Sequence, residues 1–166
     1  YAYNAIDIAA TYQKSDTNNV DIVYISSNHA THTQYAIYFL EQGCDVFIEK
    51  PIAINKRQLD LLSHAVKKAN KKVYVGYNRP HSPSIKIIKD SFIDNKTPFT
   101  LSCFVSGHFI PKDHWYRDPS EGTRIVSNLG HWIDLSIYIL SWSKTFPEFL
   151  DVIISYSDLQ MPSDNI

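Results

Sequence analysis

Glycine is scarce in this chain. Its 166 residues include five glycines, at positions 43, 76, 107, 122 and 130, and none of them forms a G-x-G-x-x-G run. A glycine-rich cradle, in which bare backbone N–H groups approach a pyrophosphate, is therefore missing from this stretch of sequence. Cysteine is scarcer still. Cys44 and Cys103 are too few for a disulfide framework and point to a reducing compartment. No apolar run approaches bilayer-spanning length and the first residues do not read as a secretory leader, so a soluble, cytoplasmic protein is expected. Charge of one sign is also lacking, since the formal net charge is −1. The clustered lysines, Lys67-Lys68 and Lys71-Lys72, close a helix and offset its dipole, so no nucleic-acid footprint is needed to explain them.

Apolar side chains are plentiful. A hydrophobic content of 44% can bury a real core, as one large domain or two small ones. The chain opens on Tyr1 without a methionine and stops after a strand-like run, so a fragment of a longer protein is expected.

The organising stretch is residues 45–51, in which the strand-like Val46-Phe47-Ile48 runs into Glu49, Lys50 and Pro51. It reads as a buried strand delivering a carboxylate and an amine to its carboxyl end, where parallel sheets bind ligands. The plain alternative is a solvated ion pair in a surface turn. Around it, residues 4–14 read as a weak helix, 16–19 as a turn, and 21–26 as a strand covered on both faces. Residues 27–31 read as a polar loop whose Thr31 caps a helix over 32–42, apolar nearly all round and ended by Gly43. Asn55 caps the next helix, with Leu59, Leu62, Val66 and Ala69 at helical spacing, and 73–76 is a further short buried strand. Strand, helix, strand, helix, strand with short links means a parallel sheet with right-handed crossovers, an α/β fold.

A boundary is expected near 77–83, where two prolines stand among polar residues. Beyond it the pattern predicts a helix over 84–92, a strand over 99–106 and a long loop over 107–123 holding His108, Lys112, Asp113, His114, Trp115, Tyr116, Arg117 and Asp118. A helix over 128–140, with Leu129, Trp132, Ile133, Ile137 and Leu140 directed at a core, and a strand over 149–156 complete it. Ser127, His131, Asp134 and Tyr138 share one face of that helix at spacings of four, three and four. A histidine there can be a general base with a carboxylate fixing its tautomer, or a core histidine satisfied by that carboxylate. His29 and His32 do not make a metal site, because His29 is expected in the loop and no cysteine or carboxylate completes a set.

Four motifs in order, Ile25-Ser26-Ser27-Asn28-His29 with His32, Glu49-Lys50-Pro51, Gly76-Tyr77-Asn78-Arg79 and Gly130-His131-Trp132-Ile133-Asp134, resemble the glucose–fructose oxidoreductase, inositol dehydrogenase and MocA family, or Gfo/Idh/MocA. The resemblance runs over nearly the whole chain. It implies the C-terminal part of a Rossmann-like parallel-sheet domain, residues 1–80, binding NAD or NADP. The start of an α+β substrate-binding and dimerisation domain with an open, mainly antiparallel sheet, residues 81–166, would follow. Ser26, Ser27, Asn28, His29, His32, Glu49, Lys50, Pro51, Asn78 and Arg79 would line the cofactor. Pro51 matches a proline often found in a cis bond. Lys50, His131 and Asp134 would be catalytic, in hydride transfer between a nicotinamide and a hydroxyl of a sugar, sugar-nucleotide or cyclitol. Lys112, His114, Trp115, Tyr116, Arg117 and Asn128 are the substrate candidates, as cations for an anionic group or aromatic faces for a pyranose. The complete chain is expected to be a homo-oligomer without nucleic-acid or membrane partners.

Two departures stand against the pattern. Many members carry an aspartate four residues before the histidine, where this chain has Ser127. The family's first strand, its phosphate loop and the acidic residue that reads the ribose would lie upstream, roughly fifty residues' worth. An NAD-dependent glycoside hydrolase, a redox-neutral relative and a non-catalytic sugar-binding scaffold stay open beside the dehydrogenase.

Overall fold

A computed structural model describes residues 20–92, 99–107, 109–111, 113–143 and 151. The chain divides into two compact units, Tyr1–Val75 and Gly76–Ile166. The helix expected over 4–14, the turn over 16–19, the strand over 149–156, His108 and Lys112 lie outside the described residues. No described helix is long and apolar enough to cross a membrane.

The first unit alternates β1 (Ile22–Ile25), α1 (His29–Glu41), β2 (Asp45–Ile48), α2 (Lys56–Ala69) and β3 (Val73–Val75). The strands form one parallel sheet in the order β1-β2-β3, with Val23 opposite Val46 and Val46 opposite Val73. The core joins one face of this sheet, Val23, Ile25, Val46 and Ile48, to Ala36, Phe39 and Leu40 of α1 and Leu62 and Ala65 of α2.

Among the described residues β1 is covered on one face, where both were expected. Tyr24 is 71% and Tyr74 44% exposed, and Tyr24 stacks on Phe47 at 5.0 Å along that outer face. Strand order explains it: two right-handed crossovers running in one direction put α1 and α2 on the same side of the sheet. Leu59 of α2 is exposed as well, and its place in the core falls to Ala65.

Helix ends follow local chemistry. Asn55 Oδ1 accepts from the Gln58 N–H at 2.9 Å, capping α2 as its sequence promised. Asn55→Ala is expected to cost about 1 kcal/mol of stability, read as a lower denaturant midpoint. Gly43, at φ 84°, takes the left-handed position after α1. The start of α1 is earlier than expected. Its N-cap is Asn28, and Thr31, inside the first turn, instead donates its hydroxyl to the Asn28 carbonyl at 2.7 Å. His29 is therefore the first residue of the helix and is buried, which removes its loop placement from the argument about metals.

Among the described residues of the second unit, α3 (Pro83–Phe92) and α4 (Gly130–Leu140) are the α-helices. Residues 99–106, expected as a strand, have no strand partner among the described residues. The loop after it is ordered by short 3-10 turns at Trp115–Arg117 and Pro119–Glu121. Asp118 caps the second, accepting from the Ser120 N–H and hydroxyl, and these two bonds hold its carboxyl below the usual range. The helix expected from Asn128 begins instead at Gly130, after a π-helical turn over Ile125–Leu129. Its apolar side is not the buried one. Ile133 and Ile137 are 48% and 51% exposed, whereas His131 is buried, because α4 packs the histidine side against the turn at Arg79–His81.

Candidate active site

The carboxyl ends of the parallel strands carry the chemistry of the first unit. Ser26, Ser27 and Asn28 follow β1, and Glu49, Lys50 and Pro51 follow β2. Ser26, Asn28 and Glu49 are exposed, Lys50 is half-buried, Pro51 is buried, and the Lys50–Pro51 bond is cis. The Lys50 N–H reaches Glu49 Oε2 at 3.3 Å. Ser27 and Thr31 share a hydroxyl–hydroxyl bond of 2.8 Å at the start of α1. No acidic side chain occupies the first turn of that helix, so its dipole favours a negative group at this edge.

Behind the edge lies a layer of buried polar contacts. His32 Nδ1 is 2.8 Å from the Pro51 carbonyl oxygen, and its Nε2 is 2.8 Å from that of Ser27. Gln58 Nε2 donates to the Ala30 carbonyl at 3.0 Å, while its Oε1 accepts from the Ile54 N–H at 3.0 Å and from the Thr33 hydroxyl at 3.2 Å. Neither Gln58 nor Thr33 stood out in the sequence. A glutamine three residues after a capping asparagine is the signal that could have found the former.

A second constellation lies within the unit that begins at Gly76. Tyr77 sets its ring edge-on to that of His131, with centroids 5.7 Å apart. A Cβ on Gly130 would stand 3.3 Å from the Tyr77 hydroxyl, so the glycine lets helix and ring approach. Asp134 has its carboxyl raised by burial, against a lowering by the charge of His81. The Tyr77 phenol is raised in turn, by burial first and then by the charge of Asp134. Tyr77 and His81 thus join His131 and Asp134, although only the latter pair was expected. Ser127, which replaces the acid, is buried and donates its hydroxyl to the Thr123 carbonyl at 3.1 Å. Asn128 sits half-buried in the π turn. Asn78 is exposed, while the Arg79 guanidinium lies over the Trp132 ring, 4.0 Å from its centroid. Trp115 lies edge-on to Tyr116 at 5.4 Å and 5.8 Å from the His114 ring, whose Nδ1 accepts from the Tyr116 N–H. Arg117, half-buried, closes that turn.

The residues present fit one part of a dinucleotide site. Polar groups, a lysine and a helix N-terminus converge on the carboxyl edge of a parallel sheet, as nucleotide binding requires. The glycine-rich cradle for the pyrophosphate is not among these 166 residues.

Comparison with known proteins agrees with this geometry. Residues 4–77 match the family model GFO_IDH_MocA, described as "Oxidoreductase family, NAD-binding Rossmann fold". The chain is 34% identical over 76 residues to Oxidoreductase P35 of Formosa agariphila, covering 46% of this chain and 24% of that one. It is 32% identical over 79 residues to the myo-inositol 2-dehydrogenase of Thermotoga maritima, covering 48% and 23%. The chain thus spans about a quarter of the length of these relatives. Among solved structures, an NAD-binding protein from Listeria innocua is 27% identical with a TM-score of 0.60, over 72% of this chain and 36% of that one. Residues 4–77 are thus similar to the Gfo/Idh/MocA oxidoreductase family, and the described part of that segment has the parallel strand–helix alternation of a Rossmann-like fold.

Proposed function

We propose that this chain is part of an NAD- or NADP-dependent dehydrogenase that transfers hydride between a hydroxyl-bearing carbon of a sugar, sugar-nucleotide or cyclitol and the nicotinamide. The observation that carries the reading is Lys50, half-buried at the carboxyl end of β2 within the family-matched segment. The myo-inositol dehydrogenase among its relatives supports the substrate class. Residues 1–80 are read as the cofactor side, and 81–166 as part of a substrate-binding and dimerising domain.

When bound, the nicotinamide supplies the hydride acceptor or donor. Everything else falls to side chains. Lys50 donates a hydrogen bond to the substrate oxygen as charge develops there, a fixed donor of the kind that lowers a barrier. His131 takes the hydroxyl proton, in the buried setting made by Tyr77 and Asp134. Ser26, Ser27, Asn28 and Glu49 orient the dinucleotide along the sheet edge, and Asn78 and Arg79 extend that contact. His114, Trp115, Tyr116, Arg117, Lys112 and Asn128 meet the substrate. The Ser127 hydroxyl donates to Thr123, and the Tyr77 ring lies edge-on to His131.

The test is a panel of sugars, uronic acids, sugar nucleotides and cyclitols offered to the complete protein with NAD or NADP, following reduced nicotinamide by absorbance. Reduction with at least one panel member is expected. Dinucleotide binding with no turnover on any of them would instead favour the scaffold reading.

A further inference from the structure

We propose that His32 acts as a positioning residue for Lys50, bridging the two loops of the cofactor edge from behind, and does not itself touch the dinucleotide. The inference rests on the reading of Lys50 given above. His32 is 1% exposed, and each of its ring nitrogens lies 2.8 Å from a backbone carbonyl oxygen. Carbonyl oxygens only accept, so the ring nitrogen that carries the proton donates in its contact, and both nitrogens are turned toward backbone carbonyls and away from a ligand. One contact is to Ser27, in the loop after β1, and the other to Pro51, the residue after Lys50. A single imidazole on α1 therefore ties the carboxyl ends of two neighbouring strands together.

The tie is reinforced along the same loop. Thr33, next to His32 on α1, has its one hydroxyl proton shared between the Ile52 carbonyl at 3.3 Å and Gln58 Oε1 at 3.2 Å, and Gln58 receives the Ile54 N–H. The backbone from Pro51 to Ile54 is thus held at three points, while the Lys50 side chain projects from its end. Removing the ring frees the Pro51 carbonyl and the Ser27 carbonyl together, and displacement of a reacting group by an ångström is enough to slow a reaction severely.

Three variants of the complete protein test this, each read as kcat, KM and dinucleotide Kd by calorimetry, well below the thermal midpoint. His32→Leu removes both contacts and is expected to lower kcat about a hundredfold while Kd changes less than about twofold. His32→Gln keeps one donor and is expected to recover part of that loss. A rise in Kd with kcat intact would make His32 a cofactor contact, and unchanged kcat in both variants would make it merely structural; either outcome overturns the proposal. Lys50→Ala is the control for the underlying reading: if it retains turnover, the role of Lys50 is wrong whatever His32 does. Should the histidine variants fail to fold, a crystal structure of the complete wild-type protein with NADH still decides. Both ring nitrogens should remain on Ser27 and Pro51, and a nitrogen within hydrogen-bond distance of the dinucleotide would refute the inference.

Discussion

Lys50→Ala in the complete protein is expected to lower kcat by about two to three orders of magnitude, the loss found when one fixed donor to a developing oxyanion is removed. Dinucleotide affinity should hardly change. The neighbouring Glu49 is exposed and its carboxylate meets the Lys50 backbone N–H, a contact that truncating the side chain leaves in place. Rapid-mixing kinetics with either cofactor separate the effects: hydride transfer slows while the binding phase is preserved. Truncation also removes a cation from the edge, so a modest salt-dependent change in Kd is compatible with the proposal. Turnover at the wild-type rate is not, and it would return residues 49–51 to the plain role of a strand-to-helix turn.

Phe39→Ala is expected to destabilise the first unit by about 3–5 kcal/mol. Phe39 is 2% exposed and lies at the junction of α1 with β1 and β2, among Val23, Ile25, Leu40 and Val46. Removing the ring costs its transfer free energy and leaves a cavity that a parallel sheet, fixed by its hydrogen-bond register, cannot readily close. Against a total stability of about 5–15 kcal/mol, a loss of that size brings the fold near its limit. Guanidinium unfolding should show a lower midpoint with little change in slope. A loss under about 1 kcal/mol would mean that the helix can settle onto the sheet and that the core is less tightly specified than its burial indicates.

The alternation of strand and helix in the first unit was legible because each signal was local. Runs of strand length, Gly43 after α1 and Asn55 before α2 each name an element or its end. The start of α1 misled because Asn28 and Thr31 both have capping side chains, and only backbone geometry decides between them. The exposed outer face could not be seen in residues 21–26, since the number of layers over a strand depends on crossover order and not on its own composition. The strand expected over 99–106 finds no partner among the described residues, and pairing is a property of two segments.

The candidate site was legible in its motifs and obscure in its neighbours. Lys50 and His131 announced themselves by family pattern, whereas Tyr77 is distant from His131 in sequence and meets it only through the packing of α4. Glycine at 130 records that closeness, yet nothing in the string says which ring it makes room for.

The one-sided cover of the small sheet carries a topological consequence. Every strand added beyond β3 by the same right-handed step would place its helix beside α1 and α2, leaving Tyr24 and Tyr74 as bare as before. Only winding in the opposite sense, outward from β1, brings helices to the other face. A reversal of that kind opens a crevice beside the carboxyl end of β1, the place where open α/β sheets seat their ligands. Any such reversal would cover the face that bears Tyr24 and Tyr74 and would set its crevice beside the polar run from Ser26 to Asn28.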